Sequence, residues 1–207
     1  MHRFIVRASM LAQDAVTLDT ARAHQIAVVL RMQPGDEITL VAGGDEAVAV
    51  LALPLLRGDR SEEVVEAVTQ LGVVKVLPYV STRSVVRALG DAKRERWERI
   101  AREAAETARR GDAPGIGTLR TWDELYEVLP RPIVVAWEGE REVRLRDALP
   151  RDAASLSLVI GPEGGLADEE IALARSRDAI VVSLGSRNLR AETAAIAAVA
   201  IAMDLLD

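Results

Sequence analysis

The sequence predicts an α/β protein with a mainly parallel sheet, preceded by a smaller β-rich unit. From about residue 60 onward, short apolar runs alternate with segments of helical periodicity, a pattern typical of parallel strands joined by helices. Two of the last strands end in glycine-bearing turns that lead into helices. Because ligands of α/β sheets collect at the carboxyl ends of strands, these two turns predict one shared pocket.

The first predicted domain covers residues 1–54. An alternating stretch predicts a strand, a Pro-Gly pair marks a tight turn, and two apolar runs around a glycine-bearing loop indicate a hairpin. The expected elements are a strand at Phe4–Arg7, a turn at Pro34-Gly35-Asp36, and hairpin strands at Glu37–Ala42 and Ala47–Leu53.

The second predicted domain covers residues 55–207 and carries the alternating helix and strand pattern. Ser61 is a candidate helix cap, and Gly72 is expected to end that helix. The following elements are a strand at Val73–Pro78, a helix at Lys93–Arg110, strands at Pro132–Trp137 and Leu156–Ile160, a helix at Ala167–Arg177, a strand at Ile180–Leu184 and a helix at Arg190–Leu206.

Composition excludes several classes of protein. The chain has no cysteine and only two histidines, which lie apart in sequence, so no metal site is expected. No run approaches the roughly 18 apolar residues of a membrane span, and the first residues lack the apolar centre of a signal peptide. We therefore expect a soluble, cytoplasmic protein. The net charge of −6 does not exclude RNA binding, because binding depends on where the basic residues lie.

The first glycine turn, Gly161-Pro162-Glu163-Gly164-Gly165, follows the strand that ends at Ile160. It lacks the lysine and hydroxyl residue of a nucleotide-triphosphate loop and does not match the dinucleotide pattern. The carboxylate of Glu163 would repel phosphate and suits a ligand with hydroxyls or positive charge. Glycine lets the backbone approach a flat ring closely. A plain strand-to-helix turn is the alternative explanation.

The second turn, Leu184-Gly185, leads to Arg190, Glu192 and Thr193 at the start of the closing helix. Glu and Thr in a first helical turn are also ordinary capping residues. The following alanine-rich run permits close packing against another helix or against the same helix of a second subunit. It is equally compatible with a well-formed buried helix.

Together these motifs resemble the SPOUT-type RNA methyltransferases. Within that group the chain is most similar to the family that methylates N3 of a uridine in 16S ribosomal RNA. The resemblance is carried by Ile160–Gly165, Ser183-Leu184-Gly185 and Leu189-Arg190-Ala191-Glu192-Thr193-Ala194-Ala195, with further agreement at Thr69–Val73 and Trp97–Arg110. These segments follow the family's order over most of the chain.

The resemblance implies a PUA-like RNA-binding domain and a methyltransferase domain tied in a trefoil knot. It also implies S-adenosylmethionine as cofactor and a homodimer. The implied cofactor-binding residues are Ala136, Glu138, Gly139, Ile160, Gly161, Pro162, Glu163, Gly164, Gly165, Leu184, Gly185, Leu189, Arg190, Thr193 and Ala194. One departure is the short segment between Val50 and Pro54, where the family has a further strand-rich stretch. The barrel is therefore expected to be shortened, unless a segment is absent from this chain.

Methylation of uridine N3 requires loss of its proton and stabilisation of the uracil anion. We assign the stabilising role to Arg190 and, as the weaker hypothesis, proton removal to Glu192. The candidate RNA phosphate contacts are Arg3, Arg7, Arg31, Arg83 and Arg87. The expected partner is 16S ribosomal RNA or the small ribosomal subunit. Another SPOUT methyltransferase, acting on a ribose hydroxyl of transfer RNA, and a non-catalytic RNA-binding or assembly factor remain open alternatives.

Overall fold

A computed structural model of the protein describes residues 3–7, 15–18, 23, 25–43, 48–150 and 153–206. The chain divides into two compact units, Met1–Glu46 and Ala47–Asp207. Within the described ranges, no helix is both long and apolar enough to cross a bilayer.

The first unit contains a small parallel sheet. Strand β1 (Arg3–Arg7) pairs with strand β2 (Thr39–Gly43), and a short π-helical segment occupies Gln25–Val29 between them. The predicted tight turn is confirmed, because Gly35 has a φ of 103° and the amide of Asp36 donates to the carbonyl of Gln33 at 3.0 Å. The PUA-like barrel stays a prediction.

The second unit is built on a seven-stranded sheet in the order β5-β4-β3-β8-β7-β9, with β6 beside β4. Every pairing in it between described strands is parallel, which confirms the predicted sheet class. The strands are β3 (Val48–Pro54), β4 (Lys75–Val80), β5 (Gly115–Ile116), β6 (Arg120–Thr121), β7 (Ile133–Ala136), β8 (Ser155–Ile160) and β9 (Ile180–Val182).

The predicted hairpin in residues 37–53 is wrong, and so is the domain boundary after Pro54. Strand β3 pairs with β4 and β8 in the large sheet, where Val50 lies opposite Lys75 and Ser157. The reason is visible in its burial: consecutive residues of β3 are covered on both faces, as a central parallel strand requires. In a hairpin strand with one face in solvent, buried and exposed residues would alternate instead. The boundary therefore falls after Glu46.

Helices cover both faces of this sheet. Leu51 and Leu53 belong to one core cluster and Val50 and Ala52 to another, because successive side chains of a strand point to opposite faces. Fully buried Trp97 lies in the first cluster. The helices are α1 (Arg60–Gln70), α2 (Asp91–Thr107), α3 (Trp122–Val128), α4 (Leu145–Ala148), α5 (Asp168–Ser176) and α6 (Ala191–Leu206). Helices α1, α2 and α6 contribute to the first cluster and α3 and α5 to the second.

The strand order determines where a site can form. Strands β8, β7 and β9 are direct neighbours and run in the same direction. The segments that follow them therefore emerge at the same edge of the sheet. We refer to them as the β7 loop (137–144), the β8 loop (161–167) and the β9 loop (183–190).

Candidate functional site

The three loops surround one cavity of about 830 Å³. Most of the predicted cofactor residues line it: Ala136, Glu138, Ile160, Gly161, Pro162, Glu163, Gly164, Gly165, Leu184, Gly185, Leu189, Arg190 and Ala194. Gly139, Glu192 and Thr193 are not part of the lining. The two glycine turns recognised in the sequence thus share one pocket, as their positions at the carboxyl ends of strands predicted.

The shape of the β8 loop depends on its glycines. Gly165 has a φ of 70°, in the left-handed region that side chains disfavour, and its amide donates to the carbonyl of Pro162 at 2.9 Å. A Cβ atom on Gly165 would also collide with the carboxylate of Glu138. A Cβ atom on Gly164 would lie 3.1 Å from Cβ and 3.2 Å from the carbonyl oxygen of Arg83. The loop is therefore held closely against two other segments.

Arg83 supports the β8 loop from outside. Its Nη1 donates to the carbonyl oxygen of Gly164 at 3.3 Å and to that of Leu166 at 3.4 Å. Arg87 donates from Nη1 to the carbonyl oxygen of Ser81 at 3.1 Å. Both guanidinium groups, predicted from the sequence to contact phosphate, thus make hydrogen bonds within the protein.

The other predicted phosphate contacts lie in the first unit. Arg3 and Arg7 are the first and last residues of β1. Arg31 is exposed and has a φ of 53°, two residues after the π-helical segment ends. RNA binding by all five arginines stays a prediction.

A buried carboxylate ties the residues after β4 to the end of the β8 loop. Glu170, on α5, accepts the amide of Thr82 at 2.8 Å and the amide of Ala167 at 2.9 Å. Tyr79 adds a second tie, because its hydroxyl donates to the carbonyl of Ile160 at 2.6 Å. Burial, followed by the negative charge of Glu170, raises the pKa of Tyr79, so the hydroxyl stays a donor.

The β7 loop is closed around Glu140. Its Oε1 accepts the amides of Arg141 and Glu142, each at 2.9 Å, and that of Val143 at 3.3 Å. These backbone hydrogen bonds, with that from Glu142 the strongest, hold the pKa of the Glu140 carboxyl below its ordinary value. Arg175 completes the arrangement: it lies 3.3 Å from Oε2 of Glu140 and over the ring of Trp137, 6.0 Å from its centroid.

The β9 loop runs beside the β7 loop. The amide of Ser183 donates to the carbonyl of Val143 at 2.8 Å, and the amide of Leu145 donates to the carbonyl of Ser183 at 3.1 Å. Gly185 has a φ of 127°, which again requires glycine. Arg190 is the last residue of the β9 loop. Its carbonyl accepts the amide of Ala194 at 2.8 Å, which connects it to the first turn of α6. Arg190 is exposed and lines the cavity.

Arg60 is a lining residue that the sequence reasoning missed. Its Nη1 lies 3.7 Å from Oε1 of Glu163, and its Nε lies 3.8 Å from Oε1 of Glu192. Glu192 therefore pairs with a residue of the cavity wall without lining the cavity itself. One signal could have pointed to Arg60: a cation in the first turn of a helix is disfavoured by the helix dipole, so it needs compensating carboxylates.

The lining carries five arginines, Arg60, Arg141, Arg144, Arg187 and Arg190, against three glutamates, Glu138, Glu140 and Glu163. Within the part of the chain that the structure describes, no group of three or more His, Cys, Asp or Glu residues could hold a metal ion. The wall thus combines a cationic surplus with the glycine backbone of the β8 and β9 loops.

Comparison with known proteins decides which family this site belongs to. The family model for the RNA methyltransferase domain matches residues 45–203. The chain belongs to this family. The first residue of the match falls at the observed boundary between the units, which agrees with the assignment of β3 to the second unit.

Relatives from several bacteria extend this result. The chain is 30% identical to ribosomal RNA small subunit methyltransferase E of Synechocystis, over 96% of this chain and 76% of that protein. It is 35% identical to the enzyme of the same name from Bacillus subtilis, over 75% of this chain and 66% of the relative. The chain therefore spans roughly two thirds to three quarters of the length of these two relatives.

Solved structures show the same fold. A methyltransferase from Legionella pneumophila, solved with bound S-adenosylmethionine, superposes with a TM-score of 0.69 at 26% identity, covering 90% of both chains. Ribosomal RNA small subunit methyltransferase E from Neisseria gonorrhoeae, also bound to S-adenosylmethionine, gives a TM-score of 0.69 at 22% identity, over 97% of this chain and 95% of the other. At 22% identity, the similarity to this second structure shows a shared fold and nothing more.

Proposed function

We propose that this protein transfers a methyl group from S-adenosylmethionine to N3 of a uridine in 16S ribosomal RNA. The observation that carries the proposal is the single cavity formed by the β7, β8 and β9 loops in a chain of the RNA methyltransferase family. The names of the relatives, which are small-subunit ribosomal RNA methyltransferases, support the choice of RNA.

The cavity suits a nucleoside cofactor in size and in chemistry. Its volume of about 830 Å³ falls within the usual range of small-molecule sites. The Gly161, Gly164 and Gly165 backbone lets a flat ring approach closely, and Leu184 and Leu189 offer apolar contact to adenine. The Glu138 carboxylate at the wall suits the hydroxyls of a ribose. These are the residues that we assign to hold the cofactor.

When bound, S-adenosylmethionine supplies an electrophilic methyl group, so the protein must mainly align the acceptor with it. In our proposal the Arg190 guanidinium, at the wall beside the β9 loop, stabilises the uracil anion that forms when N3 loses its proton. Glu192 is less suited to remove that proton. Its Oε1 pairs with Arg60, and its Oε2 is inaccessible to solvent and has no hydrogen-bond partner among the described residues.

Three further assignments belong to the same proposal. A trefoil knot is implied by the family resemblance, and it would involve the β7 and β9 loops, which are bridged in parallel between Arg144 and Ser183. A homodimer is supported by α6, on which the apolar Ile201, Met203 and Leu205 remain partly exposed. A cytoplasmic site of action follows from a ribosomal RNA substrate.

The test is calorimetry with S-adenosylmethionine, followed by methylation of small-subunit RNA and mapping of the methylated atom by mass spectrometry. We expect binding of the cofactor and a methyl group on the uracil base. No heat of binding would instead favour an RNA-binding or assembly factor. A methyl group on a ribose oxygen would favour the other class of SPOUT enzyme.

The role of Arg190 is tested by Arg190→Ala in the same assay. Removing one group that stabilises an anion costs about 10²–10³ in kcat, and we expect a loss in that range with the fold unchanged by circular dichroism. Arg177→Ala, an exposed position at the end of α5, is the control. A kcat equal to that of the unaltered protein would refute the role of Arg190.

A further inference from the structure

We propose that Arg60 is a positioning residue that fixes the β8 loop and the start of α6 relative to each other. This inference rests on the proposed function. It starts from one geometric fact: a single guanidinium lies within 4.0 Å of two carboxylates from different segments, Glu163 at 3.7 Å and Glu192 at 3.8 Å. Glu163 belongs to the glycine turn after β8, and Glu192 lies in the first turn of α6, directly after the β9 loop.

The base of Arg60 is held firmly. Arg60 is the first residue of α1, and the amide of Leu56 donates to Oγ of Ser61 at 3.0 Å, which closes the turn before the helix. Lys93 donates from Nζ to the carbonyl of Gly58 at 3.1 Å. Segment 56–61 is therefore attached to α2, and it holds the backbone of Arg60 in place.

Glu163 makes two contacts with segment 56–61. Its Oε1 accepts the amide of Arg57 at 3.0 Å and also faces Nη1 of Arg60. The carboxylate that was predicted from the sequence to recognise a ligand therefore uses one of its oxygens to attach the β8 loop to segment 56–61. Oε2 is the oxygen that this contact leaves for a ligand.

Glu192 depends on Arg60 for charge balance. Its side chain is only 13% exposed, and its Oε2 lies buried without a hydrogen-bond partner among the described residues. A poorly hydrated carboxylate is costly unless a cation lies beside it. Among the described residues, the cation beside it is Arg60, and the positive end of the α6 dipole adds a smaller contribution.

Replacing Arg60 by a neutral residue would leave two carboxylates facing one another across the same space. Their repulsion would move the β8 loop away from the first turn of α6, and both segments supply cavity wall. The main effect should therefore be on cofactor affinity. Because the Arg60 side chain is 41% exposed, solvent screening limits the effect.

The experiment compares Arg60→Gln, Arg60→Lys and the double variant Arg60→Gln/Glu192→Gln in calorimetry with S-adenosylmethionine, under conditions in which each protein is fully folded. We expect Kd to rise about fivefold in Arg60→Gln, the upper end for a solvent-screened ion pair. Arg60→Lys should fall between this variant and the unaltered protein, because one ammonium keeps the charge but cannot span both carboxylates. The double variant should bind more tightly than Arg60→Gln, because its unpaired carboxylate has been removed. The control is Arg99→Gln on α2, whose partner Glu103 lies at a matching 3.9 Å.

Two results would overturn the proposal. One is an Arg60→Gln protein with the same Kd as the unaltered chain, which would show that Arg60 forms only a surface ion pair and does not affect cofactor binding. The other is a double variant no better than Arg60→Gln, which would show that Glu192 does not depend on Arg60. If Arg60→Gln does not fold, Arg60→Lys decides: a Kd at least about threefold higher supports the proposal, and an unchanged Kd refutes it. Failure of the unaltered protein to bind the cofactor would refute the proposed function instead.

Discussion

Nη1 of Arg83 lies 3.3 Å from the carbonyl oxygen of Gly164, so a side chain from the segment after β4 braces the glycine turn after β8. The two residues also lie close together along their main chains, because a Cβ atom added to Gly164 would lie 3.2 Å from the carbonyl oxygen of Arg83. This relationship changes what is expected of Arg83. In our proposal the β8 loop holds the cofactor, so a guanidinium that braces this loop acts on cofactor binding before any RNA is present.

Replacement of Arg83 by glutamine should therefore weaken the binding of S-adenosylmethionine in the absence of RNA. The brace explanation also predicts an unchanged salt dependence of RNA binding, since no phosphate contact is lost. Calorimetry measures the first quantity, and RNA titrations at several salt concentrations measure the second. Arg87→Gln is the control, because Arg87 bonds to Ser81 rather than to the β8 loop. A salt slope lowered by about one, with cofactor affinity unchanged, would restore the phosphate-contact hypothesis for Arg83.

Substitution of Gly165 by alanine should lower the free energy of unfolding by about 1–2 kcal/mol, since its φ of 70° is unfavourable for a residue with a Cβ. Cofactor affinity should fall as well, because the new methyl group displaces Glu138 at the cavity wall. Urea denaturation and calorimetry measure the two effects. Gly115→Ala is the matched control: no atom lies within 4 Å of its added Cβ, so its stability should be unchanged or slightly increased. Equal effects at the two glycines would contradict the argument.

Exchange of Glu170 for glutamine tests the buried connection between α5 and the segment after β4. The carboxylate accepts two amides, from Thr82 and Ala167, whereas a glutamine side chain offers one acceptor oxygen and turns a donor toward the other amide. One buried amide is left unpaired, which should cost about 1–3 kcal/mol of stability in urea denaturation. The exposed neighbour Glu169→Gln should have little effect. A stable Glu170→Gln protein would show that one of these hydrogen bonds is dispensable.

Glu140 should make stability depend on pH in the acid range. The folded state lowers the pKa of its carboxyl, chiefly through backbone hydrogen bonds from Glu142 and Val143, below the unfolded value of about 4.3. Its contribution to stability is therefore present above that unfolded value and is lost as pH falls through the folded one. The stability difference between the unaltered protein and Glu140→Gln should be larger at pH 7 than at about pH 3. Glu142→Gln serves as the control in the same loop, and a difference independent of pH would refute the prediction.

The periodic parts of the fold could be predicted because their signals are local. Apolar runs and helical stripes depend only on neighbouring residues, so β8, β9, α5 and α6 fall close to their expected positions. The strand Val48–Pro54 was predicted as well, but with the wrong partner. Partner choice depends on which strands are buried beside it, and a short apolar run carries the same local signal in a hairpin as in the centre of a sheet.

In the candidate site too, local features were predicted and long-range partners were not. The sequence shows which glycine turns follow which strands, because a missing Cβ and a strand end are local features. Most of the other residues of the cavity lining were predicted from the resemblance to the methyltransferase family. Only the tertiary structure decided how charged side chains are used. Arg60 and Arg83 precede the β8 loop by many residues, yet their guanidinium groups contact Glu163 and Gly164. Long flexible side chains choose their partners by the space and charge around them, and chain folding brings those surroundings together.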